Sequence, residues 1–329
     1  MLKTPEYFFL FRDFFNGNVG FKENIMEIKT VTMIGVGAVG AVIASQLSKF
    51  LGKENVECLA DGERKSRYER DGIFINGEKQ NFNFVESKKA RKSDLVIIAT
   101  KNLQLPDAME MMKNACGNGT SVLSLLNGIQ SEKDIAKVYG EDKVLYSFVI
   151  SLNSIHVGSK IECSDFGTLV FGEKDNSKSE RILALEKLFS SSEIRFKNPE
   201  NIHLEMWKKF LINTTFNTLS AITRSPYGGF RIPLMQELAR KVGGEVIKVA
   251  NAENVPLTAQ MLEDDIKMMC GHDPHGKTSM LQDMEAGRKS ENAWFCGTVL
   301  KLAKKHGIET PCCELLEKLV EGSEAVRSV

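Results

Sequence analysis

A glycine motif near the start of the chain constrains the fold more than any other feature of the sequence. Gly35, Gly37 and Gly40 follow a β-branched apolar run and precede an Ala- and Val-rich helical pattern. A Gly-x-Gly-x-x-Gly motif between a strand and a helix is typical of dinucleotide-binding domains. The first glycine permits a tight turn, the second lets a pyrophosphate approach the backbone, and the third lets helix and strand pack closely. We therefore predict a dinucleotide site with these cofactor-binding residues: Gly35, Val36, Gly37, Ala38, Val39 and Gly40. The alternative is a glycine-rich βα turn that binds no ligand.

The length of 329 residues predicts two domains, and the character of the sequence changes near Asn198-Pro199. Before this point, near-continuous apolar strands alternate with helical patterns, as in a parallel sheet covered by helices. From Ile202 onward, helical periodicity dominates. We predict an α/β dinucleotide-binding domain over residues 26–198 and a helical substrate domain over 199–329. Residues 1–25 hold seven of the 26 aromatic residues, and we interpret them as an N-terminal extension, not native if translation begins at Met26.

Two short motifs in the first domain predict hairpins. Asn76-Gly77 ends an apolar run and favours a tight turn leading to an alternating partner strand over residues 82–85. Asp165-Phe166-Gly167 separates two short strand patterns, residues 161–163 and 168–171. We predict that these patterns form a second hairpin, which closes the domain.

Asp61 bears on the choice of cofactor. It lies 21 positions after Gly40, where an acidic side chain can accept hydrogen bonds from a ribose 2′-hydroxyl, which favours NAD. Arg64, Lys65 and Arg67 follow closely and could hold the 2′-phosphate of NADP. A third interpretation is a charged turn exposed to solvent. These residues leave NADP versus NAD open.

Charge and composition argue against several classes of partner. Lys plus Arg and Asp plus Glu both number 43, so no net field favours nucleic acid or an anionic membrane. No apolar run approaches the roughly 18–20 residues of a membrane-spanning helix. The seven cysteines lack a Cys-x-x-Cys pair, which indicates reduced thiols in a cytoplasmic protein. Residues 270–275 carry metal-ligand residue types, but without a second ligand cluster we predict no metal site.

Residues 205–219 are the most informative stretch outside the glycine motif. Lys209, Asn213 and Asn217 are spaced four apart, so on a helix they form one polar stripe. Their neighbours are large and apolar, as in a substantially buried helix. A stripe facing only solvent would more naturally carry better helix formers than Asn. We therefore predict that a polar ligand contacts this helix, and a solvent-facing stripe is the alternative.

Four other polar residues are further candidates for contact with a ligand. Lys101 and Asn127 each follow an apolar strand, and ligands of open α/β sheets bind beyond the carboxyl ends of the strands. Asn127-Gly128 is also an ordinary turn sequence. Ser279 lies in the N-cap region of a predicted helix. Glu291, taken alone, has the features of a surface carboxylate.

Together these motifs resemble the 2-dehydropantoate 2-reductase (ketopantoate reductase) family from about Met26 to the C terminus. The motifs that carry the resemblance occur in the same order and at similar spacing: the glycine motif, Thr100-Lys101, Leu126-Asn127-Gly128, Trp207-Lys208-Lys209, Asn213, Asn217, Ser279-Met280-Leu281-Gln282-Asp283, Glu291 and Gly297. The resemblance implies an N-terminal Rossmann domain and an all-α C-terminal domain like that of 6-phosphogluconate dehydrogenase. It also implies an active site in the cleft between them.

The resemblance implies roles for the candidate residues as well. Lys209 corresponds to the family's catalytic lysine, and Glu291 to the catalytic carboxylate that engages substrate and lysine. The residues that correspond to substrate contacts are Asn127, Asn213, Asn217 and Ser279, and Lys101 and Asn127 correspond to cofactor-binding positions. Direct chemistry agrees, because reducing a 2-oxo acid requires a hydride at carbon and a proton at oxygen. A lysine ammonium can supply that proton and stabilise the developing alkoxide.

Two departures from the family pattern concern cofactor and substrate. Family members usually carry a basic residue near the position of Asp61. After the catalytic glutamate they carry an apolar and then an acidic residue, where this chain has Asn292 and Ala293.

We expect NADP-dependent reduction of 2-dehydropantoate to pantoate in pantothenate and coenzyme A synthesis, with NAD as the alternative cofactor. The alternative functions are reduction of another small 2-oxo acid and non-catalytic, NADP-binding redox sensing. We expect a cytoplasmic protein without nucleic-acid or membrane partners, with a homodimer as one candidate assembly.

Overall fold

The computed structural model describes residues 26–327, so the predicted N-terminal extension lies outside the described residues. Within this range ten strands form one mixed sheet. The strands are β1 (Val31–Ile34), β2 (Val56–Leu59), β3 (Phe74–Ile75), β4 (Glu78–Lys79), β5 (Asn83–Val85), β6 (Leu95–Ile98), β7 (Ser121–Ser124), β8 (Val144–Val157), β9 (Lys160–Gly172) and β10 (Phe196–Lys197). The α-helices are α1 (Ala38–Leu51), α2 (Gly62–Asp71), α3 (Leu105–Met111), α4 (Ser131–Tyr139), α5 (Glu180–Ser191), α6 (Ile202–Ile212), α7 (Thr218–Thr223), α8 (Pro233–Ala252), α9 (Ala259–Gly271), α10 (Ser279–Glu285), α11 (Cys296–His306) and α12 (Pro311–Val326).

The parallel part of the sheet confirms the predicted Rossmann-type architecture. The strand order is β4-β3-β9-β8-β7-β6-β1-β2-β5, with β10 paired to β9. Strand β1 pairs in parallel with β2 on one side and β6 on the other. Every residue of β1, β2, β6 and β7 is buried, which explains their apolar character because helices cover both faces. The order reverses between β1 and β6, where ligands of such sheets bind beyond the carboxyl ends of the strands.

The first predicted hairpin has a different partner strand. Asn76 and Gly77 form the turn, with φ of +49° and +82°, but they join β3 to β4. A two-residue turn brings the residues that follow it directly into register with the preceding strand. Strand β5 pairs in parallel with β2 instead, so its predicted pairing with β3 is wrong.

The second predicted hairpin is also wrong, because residues 165–167 lie inside the single strand β9. Strands β8 and β9 pair antiparallel from Tyr146 opposite Gly172 to Val157 opposite Lys160, and the turn between them contains Gly158. Gly167 has a φ of +72°, and a Cβ there would lie 2.8 Å from the carbonyl oxygen of Ile150. This glycine therefore permits a close approach of two strands rather than a chain reversal.

The chain changes from sheet to helices after β10, and the described residues beyond Lys197 contain no further strand. Asn201 caps α6 by accepting a hydrogen bond from the N–H of Leu204 at 2.9 Å. One core cluster contains Tyr146 and Phe148 of the sheet together with residues of the helical part. Since this core joins both parts, the division at residues 198 and 199 stays a prediction. No helix in residues 26–327 is long and apolar enough to span a membrane.

Candidate active site

The three glycines of the motif have different surroundings. Gly35 has a φ of +93°, and a Cβ there would lie 2.7 Å from the carbonyl carbon and oxygen of Ala99. A Cβ on Gly40 would overlap the carbonyl oxygen of Gly35 and lie 3.1 Å from the Cβ of Ala99. At Gly37, by contrast, a Cβ would meet no atom of the described residues within 4 Å. Gly35 and Gly40 thus let the turn pack against the end of β6, whereas Gly37 faces open space.

The open space at Gly37 lies at the N terminus of α1. Gly37 is the N-cap residue, and its carbonyl accepts a hydrogen bond from the N–H of Ala41 at 2.9 Å. The preceding N–H groups, those of Ala38, Val39 and Gly40, have no partner within the helix. Such groups, together with the helix dipole, suit a pyrophosphate. The residues present therefore fit a dinucleotide, although Val36 is buried and contributes its backbone rather than its side chain.

Asp61 lies at the end of β2, as predicted, and its carboxylate is already engaged by one residue. Its Oδ1 accepts a hydrogen bond from the N–H of Ser87 at 2.7 Å, and its Oδ2 accepts one from the Ser87 hydroxyl at 2.6 Å. Asp61 therefore holds the ends of β2 and β5 together. Its side chain remains exposed at the corner where an adenosine ribose would lie.

The basic residues after Asp61 differ in their partners. Lys65 forms an ion pair with Glu69 at 3.1 Å, and the guanidinium of Arg67 lies 5.6 Å from the ring centre of Tyr68. Arg64 is exposed and has no ion pair among residues 26–327. Arg64 is therefore available to a phosphate, and Arg67 is likewise exposed and without an ion pair among these residues.

Glu291 is buried and forms the centre of a hydrogen-bonded cluster. Its Oε1 accepts hydrogen bonds from the backbone N–H of Asn102 at 3.3 Å and from the Asn102 side-chain amide at 3.0 Å. Its Oε2 accepts one from the Lys101 ammonium at 3.2 Å and one from the Asn127 amide at 3.0 Å. The structure thus brings together Lys101, Asn127 and Glu291. These four donors offset the cost of burying the carboxylate.

The Lys101 ammonium also contacts Asp283, at 3.0 Å from Oδ2. Burial alone would lower the pKa of Lys101, but the carboxylates of Glu291 and Asp283 outweigh it and hold this pKa above its ordinary value. The other oxygen of Asp283 accepts a hydrogen bond from Arg288 at 2.8 Å. Lys101 therefore connects the sheet to α10 and to the loop that follows it.

Sequence reasoning assigned no role to Asn102 or Asp283. Asn102 is 2% exposed and donates a hydrogen bond to the carbonyl of Asn127 at 2.9 Å, in addition to its two bonds to Glu291. Its position directly after Lys101, beyond the carboxyl end of β6, is the signal that could have identified it. Asp283 stands within the motif that begins at Ser279.

Lys209 projects from α6 onto strand β8. Its ammonium donates a hydrogen bond to the carbonyl of Val149 at 2.8 Å and lies 5.6 Å from the ring centre of Phe148. Burial lowers the pKa of Lys209 to about 8, and the charges of Glu291 and Glu132 act in the opposite direction. An ammonium with a pKa close to neutrality is suited to general acid catalysis.

A π-helical turn, Asn213–Asn217, interrupts the helix that the sequence predicted as continuous. Both asparagines are buried, and the amide of Asn217 donates a hydrogen bond to Oδ1 of Asn213 at 3.1 Å. Residues four apart share a face in an α-helix and in this wider turn, so spacing alone could not reveal the π geometry. The buried Nδ2 of Asn213 has no hydrogen-bond partner within the described part of the chain. Such a donor is available to a ligand, and π turns are frequent at functional sites.

Ser279 lies in the N-cap region of α10, as predicted, directly after the N-cap residue itself. The N-cap of α10 is Thr278, whose hydroxyl accepts a hydrogen bond from the N–H of Leu281 at 3.3 Å. Ser279 is the first residue of the helix and is exposed. Within residues 26–327 the structure does not place it in hydrogen-bond contact with the Glu291 cluster.

Comparisons with known proteins identify the family to which the chain belongs. Residues 31–176 match the sequence model described as ketopantoate reductase PanE/ApbA, and residues 201–324 match ketopantoate reductase PanE/ApbA C terminal. An uncharacterized oxidoreductase, YkpB of Bacillus subtilis, is 26% identical over 89% of this chain and 98% of its own. A 2-dehydropantoate 2-reductase of Streptococcus pyogenes serotype M1 is 25% identical over 91% and 99%.

Solved structures share the fold over nearly the whole length of the described chain. A ternary structure of D-mandelate dehydrogenase with NADH and anilino(oxo)acetate gives a TM-score of 0.82 at 21% identity, covering 91% of this chain and all of the other. A dimeric ketopantoate reductase from Staphylococcus aureus gives 0.78 at 20% identity, covering 90% and 99%. The resemblance read from the sequence is thus confirmed, and the chain belongs to the ketopantoate reductase family of oxidoreductases.

Proposed function

We propose that this protein reduces 2-dehydropantoate to pantoate with NADPH, a step in pantothenate and coenzyme A synthesis. The observation that carries the proposal is Lys209, whose ammonium has a pKa of about 8 and lies within the influence of the Glu291 carboxylate. Glu291 is in turn held by Lys101 and Asn127, which follow two neighbouring parallel strands. A proton donor is therefore combined with residues at the edge of the sheet where a dinucleotide would bind.

The glycine turn and the first turn of α1 would hold the pyrophosphate of the cofactor, and Asp61 and Arg64 would face the adenosine ribose. When bound, the cofactor supplies the hydride for the 2-oxo carbon. Arg64 supports NADPH because it is exposed and without an ion pair among the described residues. Asp61 supports NADH because its negative charge would repel a 2′-phosphate.

Lys209 would donate its proton to the carbonyl oxygen of the substrate. With a pKa of about 8, the amine is mostly protonated at pH 7 and releases the proton more readily than an ordinary lysine. Its positive charge also stabilises negative charge on that oxygen as the carbonyl is reduced. Glu291 favours the protonated amine through its charge.

Amide groups from both parts of the chain would orient the substrate. Asn213 offers a buried donor without a partner in residues 26–327, and Asn217 is bonded to it in the π turn. Asn127 approaches from the sheet through its contact with Glu291. Such donors suit the carboxylate and hydroxyl oxygens of a hydroxylated 2-oxo acid. Ser279 would join them through a movement of α10 or of the substrate, because it is not in contact with the cluster.

Asn292 takes part in a structural network, which bears on its departure from the family pattern. It is 2% exposed, its Oδ1 accepts a hydrogen bond from the Thr218 hydroxyl at 3.0 Å, and its amide donates to Glu317. Asn292 thereby links the end of the π turn to α12. We infer that this substitution serves packing and does not by itself exclude 2-dehydropantoate.

The second candidate is a reductase of another small 2-oxo acid, because D-mandelate dehydrogenase has the same fold. The deciding experiment follows oxidation of NADPH and NADH with 2-dehydropantoate and a panel of 2-oxo acids that includes benzoylformate. We expect the highest kcat/KM with 2-dehydropantoate and NADPH. If another 2-oxo acid gives a higher kcat/KM, that acid and not 2-dehydropantoate is the substrate. Dinucleotide binding without turnover of any acid would favour the redox-sensor function.

We also propose a homodimer in the cytoplasm. The proposal is supported by the dimeric ketopantoate reductase from Staphylococcus aureus, whose fold this chain shares. Light scattering coupled to size-exclusion chromatography would give a mass of twice 36.7 kDa. A mass equal to that of one chain would contradict the dimer.

A further inference from the structure

A second buried carboxyl group, Glu132, lies near the proposed proton donor and has no role in the proposed function. It belongs to the first turn of α4 and is 1% exposed. Its Oε2 accepts a hydrogen bond from the Ser131 hydroxyl at 3.0 Å, and the backbone N–H groups of Glu132 itself and of Ser147 lie close to the carboxyl group. Its Oε1 has no hydrogen-bond partner among the residues that the structure describes. A buried carboxylate oxygen without a partner is costly, so a nearby positive charge is expected to compensate.

The edge of strand β8 brings Glu132 and Lys209 together. Strand β7 pairs with β8 only at Val144 and Leu145, so the following residues of β8 have a backbone edge without a strand partner on that side. The N–H of Ser147 lies close to the Glu132 carboxyl group, and the carbonyl of Val149 accepts the hydrogen bond from Lys209 at 2.8 Å. Residues two apart in a strand present their backbone groups to the same edge. The two side chains therefore lie at adjacent positions along one open strand edge.

Few charged groups among residues 26–327 act on Glu132 and Lys209. Glu291 and Glu132 both act on the Lys209 ammonium, and both favour its protonated form. Around Glu132, the charge of Lys133 on the same helix favours the carboxylate, and Tyr146 on β8 is affected by the carboxylate in turn. Burial raises the pKa of Glu132 to about 7. Glu132 thus acquires its negative charge over the pH range just below that in which Lys209 would lose its proton.

We propose that Glu132 is a positioning residue for Lys209: from the open edge of β8, its carboxylate holds the ammonium in the protonated form that donates to substrate. Glu291 also acts on the Lys209 ammonium, but its Oε2 is already paired with the Lys101 ammonium at 3.2 Å. The side-chain hydrogen bond that Glu132 accepts comes from a neutral hydroxyl, that of Ser131, so no cation within residues 26–327 is in direct contact with its carboxylate. The expected change in kcat/KM rests on the proposed function, whereas the expected change in the pKa of Lys209 does not.

The test measures the pKa of Lys209 without substrate. Acetic anhydride acetylates the neutral amine, and peptide mass spectrometry across a pH series gives the titration of this lysine. In Glu132→Gln the shape is kept and the charge is lost, so we expect the pKa of Lys209 to fall by about one unit. The alkaline limb of kcat/KM should move by the same amount, which lowers kcat/KM at pH 8 about fivefold. Glu132→Asp should restore the wild-type curve.

Asp134→Asn is the matched control, since Asp134 lies on the same helix but pairs with Lys137 at 2.9 Å toward solvent. Asp134→Asn should change neither the titration of Lys209 nor the pH profile of kcat/KM. An unchanged titration of Lys209 in folded Glu132→Gln overturns the proposal. If Glu132→Gln does not fold, Ser131→Ala is the second variant, because it removes the hydrogen-bond donor to Oε2 of Glu132. It should lower the pKa of Lys209 by a smaller amount. An unchanged titration of Lys209 in Ser131→Ala also overturns the proposal. A shifted titration with an unchanged pH profile of kcat/KM supports the pairing and contradicts Lys209 as the proton donor, so the two proposals fail separately.

Discussion

At the scale of single residues, Lys209 has the strongest predicted effect on turnover. Lys209→Ala removes the proton donor, so we expect kcat to fall by about 10²–10⁴-fold while the Kd for the dinucleotide changes little. Steady-state kinetics and a fluorescence titration of NADPH would measure the two quantities. Lys208→Ala is the matched control, because Lys208 pairs with Glu205 at 2.9 Å and points away from the Lys209 stripe. Near-normal turnover in Lys209→Ala would refute the assignment.

The pKa of Lys209 also predicts opposite effects of pH on activity and stability. The protonated amine donates, so kcat/KM of the wild type should fall as pH rises through about 8. The folded state lowers this pKa, so between pH 8 and the ordinary value of 10.5 the unfolded chain binds the proton more tightly. The contribution of Lys209 to stability therefore rises with pH across that window. Lys209→Met should be inactive yet more stable than the wild type at pH 7, as urea denaturation would show.

We predict that the preference for NADPH or NADH depends on a carboxylate, Asp61, and a guanidinium three residues later, Arg64. Asp61→Asn removes the charge but keeps an oxygen that can accept from Ser87, so the ratio of kcat/KM for NADPH to that for NADH should rise about tenfold. Arg64→Ala should lower the same ratio by a similar factor. Lys65→Ala is the control, because Lys65 already pairs with Glu69. If the ratio responds to neither Asp61 nor Arg64, the adenosine ribose does not bind at this corner.

Single residues also show which site features the sequence could predict. Lys101 and Asn127 were identifiable because each follows an apolar strand at the edge where ligands bind. Glu291 was not, since its burial depends on donors 164 to 190 positions away in the chain. Contacts over such separations depend on how the sheet and the helical part pack, which local periodicity does not encode. Only the family resemblance pointed to Glu291.

At the scale of elements, the glycine turn separates ligand binding from packing. Gly37→Val adds a side chain where no described atom lies within 4 Å, so the fold should tolerate it and the dinucleotide should not. We expect the Kd for NADPH to rise at least about 100-fold, equivalent to about 3 kcal/mol, with little change in Tm.

Gly40→Ala is the contrasting variant, because its Cβ would overlap the carbonyl oxygen of Gly35 inside the turn. We expect it to lower the free energy of unfolding by about 1–3 kcal/mol through overpacking. Thermal denaturation and isothermal titration calorimetry of both variants provide the comparison. Undiminished NADPH binding by Gly37→Val would remove the cofactor site from this turn.

The elements themselves were predicted to different degrees. The buried parallel strands and the helices were evident because apolar runs and helical periodicity mark them directly. The pairing of β5 and the continuity of β9 were not evident. Asn-Gly and Asp-Phe-Gly sequences favour local backbone conformations, but they do not determine which strands pair with each other. The π turn at Asn213–Asn217 was hidden, since a four-residue spacing fits both kinds of helix.

At the scale of the whole molecule, Lys101 joins the sheet to the helical part. Its ammonium contacts Asp283 at 3.0 Å and Glu291 at 3.2 Å, and both carboxylates are less than 10% exposed. In Lys101→Met, Asp283 keeps Arg288 and Glu291 keeps its amide donors, but the buried negative charge is less well compensated. We expect the free energy of unfolding to fall by about 1–3 kcal/mol, toward the lower end because the lysine side chain is 49% exposed.

Urea denaturation of Lys101→Met beside Lys113→Met would test this connection. Lys113 pairs with Glu110 at 3.9 Å, and both side chains are at least 73% exposed, so its loss should cost less than about 0.5 kcal/mol. The folded state raises the pKa of Lys101, so its contribution is complete below the unfolded pKa near 10.5 and is lost only as pH rises through the folded value. The difference between Lys101→Met and the wild type should therefore be the same at pH 7 and pH 9. Equal losses in the two variants would mean that Lys101 does not stabilise the packing of the helical part on the sheet. The cluster around Glu291 would then depend on the amides of Asn102 and Asn127 alone.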